Sequence, residues 1–332
     1  MIFLLFLSIT GWILWSVYSF LMYCRTSVAG KTVLITGGST GVGRCLVIRF
    51  LQLGARVIVW DYRKDKLDEL KHVALQSNPQ LEKSESNGDD PVKDSQMNAG
   101  SSQTVTSEKL LTCAVDFSSR IQLQRAIKDL ENVHIVVNAV DAGSSKTFFN
   151  RSDESTEKIM LANTLCPLVL ARVCLPRMVQ QQDGHFVTIA CKKGLLGDVE
   201  NPDWAASRWA SIGMHESIQM LIRQNDRSGK VRTTLVCPYD ILRPSAGALS
   251  STSSASFDPS ADGETGRKPS GVRLFNMFSL KPRSFTPEEV ADTCVWAICH
   301  GVERVFLPAT LLLLPMLRVL PVPWFMWIIS FL

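Results

Sequence analysis

Between residues 31 and 238 a series of short, almost wholly apolar runs recurs: KTVLIT, ARVIVWD, LLTCAVD, VHIVVNA, GHFVTIAC and VRTTLVCP. Runs of this length, rich in Val, Ile and Thr and lacking polar alternation, read as strands buried on both faces of a parallel sheet. Stretches with helical spacing of apolar residues separate them, such as GRCLVIRFLQLG and STEKIMLANTLCPLVLARVCLPRM. Repeated strand–helix units imply a doubly wound sheet with right-handed crossovers. An α/β, Rossmann-like fold is therefore expected over residues 30–307.

The first unit carries a glycine loop, KTVLITGGSTGVGRCLVIRF. In such a loop Thr36 ends the strand and Gly37 permits a tight turn. Gly41 lets backbone approach a pyrophosphate, with Ser39 and Val42 beside it, and Gly43 lets helix and strand pack closely. The N-terminus of the following helix offers unpaired N–H groups and a positive dipole end to an anion. The second strand ends at Asp61, 18 residues after Gly43. A carboxylate there suits an adenine ribose 2′-hydroxyl and points to NAD. Arg63 and Lys64 follow at once and suit the 2′-phosphate of NADP.

Two polar segments interrupt the pattern. Residues 77–107 and 245–271 are rich in Ser, Gly and charged residues. They cannot bury enough apolar area to offset ordering entropy, so both are expected to be disordered surface insertions.

The ends are different in kind. Residues 1–23 contain no charged side chain and would span roughly 34 Å as a helix at 1.5 Å per residue, long enough for a bilayer core. The run has no basic start and is too long for a signal-peptide core, so residues 1–24 are expected to be a retained transmembrane anchor. Arg25, Lys31 and Arg44 lie on its C-terminal side, which places the main domain in the cytosol. Residues 308–332 are also apolar but are broken by prolines and Arg318. That segment suits either an interfacial membrane contact or a cap on the domain's own core.

Composition narrows the functions. Nine cysteines form no CxxC pair, and most lie in apolar runs, as reduced buried thiols would. The five histidines show no metal-ligand spacing, so no metal is expected. A net charge of +4, from 35 basic and 31 acidic residues, is too small and scattered to suggest nucleic acid.

The loop Thr36-Gly37-x-x-x-Gly41-x-Gly43 resembles that of the short-chain dehydrogenase/reductase family. Further stretches (SVAGKTVLITG, VIVWD, GMHESI, TTLVCPY and the greasy tail) look like its membrane-bound retinol dehydrogenase branch. That resemblance implies a nicotinamide cofactor, a lipophilic retinoid or steroid ligand, and dimerisation through the helix that begins near residue 203. It also implies residence on endoplasmic reticulum membrane, or alternatively on lipid droplets. Asp116, with Ala114 as the alternative register, would meet adenine. The family's NNAG segment appears as Asn138-Ala139-Val140-Asp141. Asn163 matches the helix asparagine of the catalytic tetrad, and also suits a residue that kinks a helix.

The catalytic trio itself is absent. In the family a serine precedes a tyrosine by 13 residues, and a lysine follows four later. Counting from GHFVTIACKKG, these positions hold Cys191, Trp204 and Arg208. A tyrosine hydroxyl both gives and takes a proton, whereas an indole N–H only donates. Arginine stays protonated and cannot join a proton relay. Tyr62-x-x-x-Lys66 spells the missing pair, but at the adenine end of the cleft. Tyr239 is the possible substitute donor. Trp204 and Trp209 on one helix suit either a dimer interface or core packing. Three functions follow: an impaired, membrane-anchored homologue acting through a partner or lipophilic ligand; an active oxidoreductase with an unorthodox donor; or a cofactor-free scaffold.

Overall fold

Strands buried on both faces need helices above and below, and the chain supplies them between most of its strands. A computed structural model describes residues 26–77, 103–107, 109–144, 146–226, 228–242 and 284–329. The expected anchor over residues 1–24 and the insertion over 245–271 lie outside these. The elements run β1 (Thr32–Thr36), α1 (Gly41–Gln52), β2 (Arg56–Asp61), α2 (Lys64–Ser77), β3 (Gln103–Ser107), β4 (Leu110–Ala114), α3 (Arg120–Lys128) and β5 (Ile135–Asn138). There follow α4 (Asp153–Met160), α5 (Cys166–Gln181), β6 (Gly184–Ile189), α6 (Pro202–Asn225), β7 (Val231–Pro238), α7 (Pro287–His300) and β8 (Arg304–Leu307). Two short helices follow towards the end of the described residues, α8 (Leu314–Leu317) and α9 (Val322–Ile329).

The sheet order is β3-β4-β2-β1-β5-β6-β7-β8. Every neighbouring pair is parallel except β3–β4. The strand order reverses between β1 and β5, where Thr36 lies opposite Asn138. A crevice at the carboxyl ends of strands at such a switch point is where this fold binds ligands. The strand period sorts the core. Val33, Ile35, Val57 and Val59 face Leu46 and Phe50 of α1 and Cys294 of α7. Leu34, Ile58, Val136 and Phe186 face Leu170 and Met178 of α5 and Ile222 of α6.

The expectation of a disordered insertion over 77–107 needs correction at its end. Residues 103–107, QTVTS, form the antiparallel edge strand β3 on β4. An edge strand satisfies one ladder and tolerates polar side chains, so low hydrophobicity did not exclude it.

One helix among the described residues, Asp153–Gln181, is long and apolar enough to cross a membrane, and half of its apolar window is buried in the domain. It runs from α4 to α5 through a π turn at Leu161–Leu165. The cause is Pro167, which has no N–H to give to the carbonyl four residues back. That carbonyl belongs to Asn163 and accepts from the Ser211 hydroxyl of α6 instead, at 2.9 Å.

Two histidines are buried, His185 on β6 and His215 on the face of α6 that meets the same strand. His185 Nε2 lies 2.8 Å from Thr234 Oγ1, and His215 Nδ1 lies 2.9 Å from Thr188 Oγ1. Burial, with Arg232 nearby, lowers His185 to about 3; burial, with Arg304, lowers His215 to about 4. In an unfolded chain both titrate near 6.5. Between that pH and about 4 the unfolded chain holds more protons, so stability is full above pH 6.5 and falls on acidification. We expect a loss of about 1.4 kcal/mol per histidine per pH unit through this window. Urea midpoints at pH 7.0 and 4.5 check it, and a flat profile would contradict the neutral, buried assignment.

Candidate dinucleotide cleft and its altered catalytic positions

The glycine loop turns tightly after β1 as expected, but Gly43 packs differently from the helix–strand contact its position suggests. Gly37 has φ 72°, and a Cβ there would lie 2.9 Å from the Ala139 carbonyl oxygen. At Gly43 a Cβ would lie 2.1 Å from the Gly37 carbonyl oxygen, so the first turn of α1 rests on the loop's own turn rather than on the strand. Gly41 faces open space within 4 Å. The N-cap Thr40 makes no side-chain capping bond, and α1 has no acid in its first turn. Orphan N–H groups at this helix start are therefore left for an anion. Ser39 and Val42 are both buried beside the loop.

Asp61 stands where the spacing puts it, but its carboxylate is engaged. It accepts from Ser39 N (3.1 Å), Arg63 N (3.1 Å) and Arg63 Nε (3.3 Å). Arg63 reaches on to Ser39 Oγ (3.2 Å) and Thr40 Oγ1 (2.6 Å). Asp61 thus organises the loop, and a guanidinium lies across the adenine end. Asp116 accepts from the Ser118 backbone N–H (2.8 Å) and hydroxyl (2.6 Å), making a turn that leads into α3 just past Ala114. Thr36 Oγ1 donates to Asn138 Oδ1 at 3.0 Å across the switch point. The buried Asn138 Nδ2 has no protein partner.

At the other end of the cleft the substituted positions touch one another. Trp204 Nε1 donates to Asp141 Oδ1 at 2.8 Å. Arg208 Nη2 donates to the same oxygen, and to the Val140 carbonyl at 2.8 Å. The indole and the guanidinium, which replace tyrosine and lysine, both close on a carboxylate that replaces the last glycine of NNAG. The Arg208 side chain is 1% exposed and that of Asp141 50%. Burial works against the Arg208 charge, but Asp141 outweighs it and holds the guanidinium above its usual range. Arg208 Nε remains buried without a partner. Burial pushes the Cys191 thiol up, with Arg208 opposing, so it stays protonated at neutral pH.

Asn163 lies in the π turn, fully buried. Its Oδ1 accepts from Ala142 N (2.8 Å), and its Nδ2 donates to Ala142 O (2.8 Å) and Ser207 Oγ (2.9 Å). It ties α5 to the loop that carries Asp141. The start of α6 is held by a second buried pair: Arg151 Nη1 grips both oxygens of Asp203, with side chains 1% and 4% exposed.

Tyr239 belongs to a different cluster. It packs with Leu195, Leu196, Ile212, Leu311 and Leu314, with Lys192 Nζ 3.7 Å from its ring centre. Burial, then Asp240, pushes its phenol up, which makes proton exchange at neutral pH harder. Lys66 of the decoy pair is bonded to Glu69 at 3.0 Å. Trp209 donates to Leu196 O (3.3 Å), and the Arg318 guanidinium covers its ring at 3.9 Å. Both indoles thus have a hydrogen-bond acceptor within the chain.

The tail is two-faced. Leu311 and Leu314 are buried against Tyr239, with Leu317 and Phe325 packed on the same cluster. Val319 is 89% exposed, Trp324 67% and Trp327 64%. Separately, α3, α5 and α6 frame an apolar groove of about 1170 Å³ lined by Leu165, Leu168, Val169, Leu221 and Ile222.

The model of the short chain dehydrogenase family matches residues 31–84 and 91–253. The chain belongs to this family. It is related to retinol dehydrogenases. It is 28% identical over 225 residues to retinol dehydrogenase 10-A of Xenopus laevis, covering 64% of this chain and 62% of that protein. It is 29% identical over 221 residues to epidermal retinol dehydrogenase 2 of Mus musculus, covering 65% and 62%. The chain thus matches under two thirds of the length of these relatives. Among solved structures, a short-chain dehydrogenase/reductase from Burkholderia phymatum in complex with NAD superposes with TM-score 0.61 at 18% identity, covering 88% of this chain and 94% of that one. L-sorbose reductase from Gluconobacter frateurii, complexed with NADPH and L-sorbose, gives 0.60 at 17%, covering 85% and 97%.

In this family the cleft holds a nicotinamide dinucleotide, which supplies or accepts hydride. The adenine and phosphate half fits the residues present: Gly41 faces open space, α1 begins uncapped, and Arg63 lies alongside. The nicotinamide half does not fit equally well, because the donors at 204 and 208 are bound to Asp141.

Asp141 is the site residue that sequence reasoning did not single out. The signal was present as an acid in the glycine position of NNAG, but nothing local connects it to residues more than 60 positions on.

Proposed function

We propose that this chain is a catalytically impaired, membrane-anchored homologue of the retinol dehydrogenases. It keeps the dinucleotide fold and acts through a partner chain or a held lipophilic molecule. One observation carries the reading: Trp204 and Arg208 both donate to Asp141. No side chain at those positions can both give and take the proton that carbonyl reduction requires.

The remaining roles follow from the residues present. Gly41 and the start of α1 bind phosphate, and Arg63 accommodates a 2′-phosphate, so NADP is admitted beside NAD. Asn163 holds the Asp141 loop. The groove on α3, α5 and α6 suits pairing with a second copy or a related short-chain dehydrogenase. The exposed tail face, with Trp324 and Trp327, suits a lipid interface, as does the apolar run over residues 1–23. Residence on endoplasmic reticulum membrane with the domain in the cytosol, or on lipid droplets, accords with both. The relatives' names supply the ligand class, a lipophilic alcohol or aldehyde such as a retinoid.

The test is turnover. Full-length protein in phospholipid vesicles is given NADH or NADPH with all-trans-retinal, beside an active retinol dehydrogenase. We expect consumption no faster than in protein-free vesicles. Steady turnover that Tyr239→Phe abolishes would overturn the proposal in favour of an unorthodox active enzyme.

A further inference from the structure

We propose that Asp141 is an internal occupant of the nicotinamide end of the cleft, and that the chain's ligand is the adenosine diphosphate half of a dinucleotide, bound without contribution from nicotinamide. This rests on the reading that the phosphate loop still binds nucleotide; it does not depend on whether the protein turns over.

The geometry gives the reason. Arg208 is buried, and its charge is matched by Asp141 Oδ1 and the Val140 carbonyl. A ribose hydroxyl or carboxamide is neutral. Neither can displace the carboxylate without leaving a buried guanidinium unpaired, which is strongly unfavourable. Trp204 spends its sole side-chain donor on the same oxygen. The loop bearing Asp141 is itself fixed, because Asn163 holds both the N–H and the carbonyl of Ala142. Three side chains, Trp204 and Arg208 of α6 and Asn163 of the π turn, therefore keep the carboxylate in place. At the other end Asp61 and Arg63 pair with each other beside the loop, but the phosphate position stays open: a Cβ at Gly41 would meet no atom within 4 Å, and the first turn of α1 lacks an acid. An ADP-ribose-type nucleotide brings its diphosphate to the open start of α1, whereas a nicotinamide ring finds the donors at 204 and 208 already bonded to Asp141.

Calorimetry on the full-length protein in detergent compares ADP-ribose with NADH. In the natural chain we expect dissociation constants within about threefold of each other. With Asp141→Gly the ratio shifts at least tenfold towards NADH, because the donors at 204 and 208 are released. Asp141→Asn keeps the shape but weakens the grip, and should shift the ratio in the same direction by less; it serves if the glycine variant does not fold. Natural protein that binds NADH more than tenfold tighter than ADP-ribose would overturn the inference, as would failure of ADP-ribose to bind. Neither result bears on turnover, so the proposed impairment stands or falls separately.

Discussion

Four substitutions made together, Asp141→Gly, Cys191→Ser, Trp204→Tyr and Arg208→Lys, should yield retinal-dependent oxidation of NADH, where the last three alone should not. The reason lies in the carboxylate. A lysine at 208 would pair with Asp141 rather than with cofactor. A tyrosine at 204 would donate to the same anion, and a neighbouring negative charge would raise its pKa away from the working range. Removing the carboxylate frees both. General acid–base assistance is typically worth ~10²–10⁴ in rate, which sets the expected gap between the two sets. The measurement is initial velocity at saturating NADH in vesicles, with each protein's melting temperature as a control for folding. Equal activity in the triple and quadruple variants would show that Asp141 does not govern the site.

The largest expected loss of stability comes from Asp203→Ala. Arg151 and Asp203 are almost fully buried, and Asp203 also accepts from Trp204 N (2.8 Å) and Thr156 Oγ1 (3.0 Å). Arg151 reaches further, to Asn201 Oδ1 and the Lys146 carbonyl, both at 2.6 Å. Removing one member of such a pair strands the other charge in a low-dielectric site, and breaking buried pairs costs about 3–5 kcal/mol. Urea denaturation should show that loss for Asp203→Ala and no measurable loss for Glu154→Ala, whose partner Lys158 lies in solvent. Comparable effects of the two would mean that water reaches Arg151. The start of α6 carries Trp204, so the same variant should also loosen the grip on Asp141.

Much of the architecture was legible because parallel strands are chemically monotonous. VLIT and VIVW announce themselves wherever they occur, and the glycine spacing after β1 specified a loop whose turn at Gly37 bears it out. What escaped was pairing across distance. QTVTS resembles the polar stretch before it, and only β4 makes it a strand. Asp61 was legible as a carboxylate at the end of β2, but not as one already bonded by Arg63 and Ser39. Cys191, Trp204 and Arg208 were legible as departures from the family pattern. That two of them meet over Asp141 was not, because a motif records which residue is missing and says nothing of what its replacement touches. Tyr239 invited attention as a spare hydroxyl, but it packs beneath Leu311 and Leu314, residues too distant in sequence to announce the contact.

The two faces of that tail bear on how the protein can be handled. Trimming the chain before Pro308, a usual route to a water-soluble form, would strip the cover from Leu195, Leu196, Ile212 and Tyr239 and trade one sticky surface for another. Polar replacements at Val319, Val322, Trp324 and Trp327 would reduce the outer greasiness while the inner contacts stay sealed. Preparations made that way should stay dispersed where shortened ones aggregate.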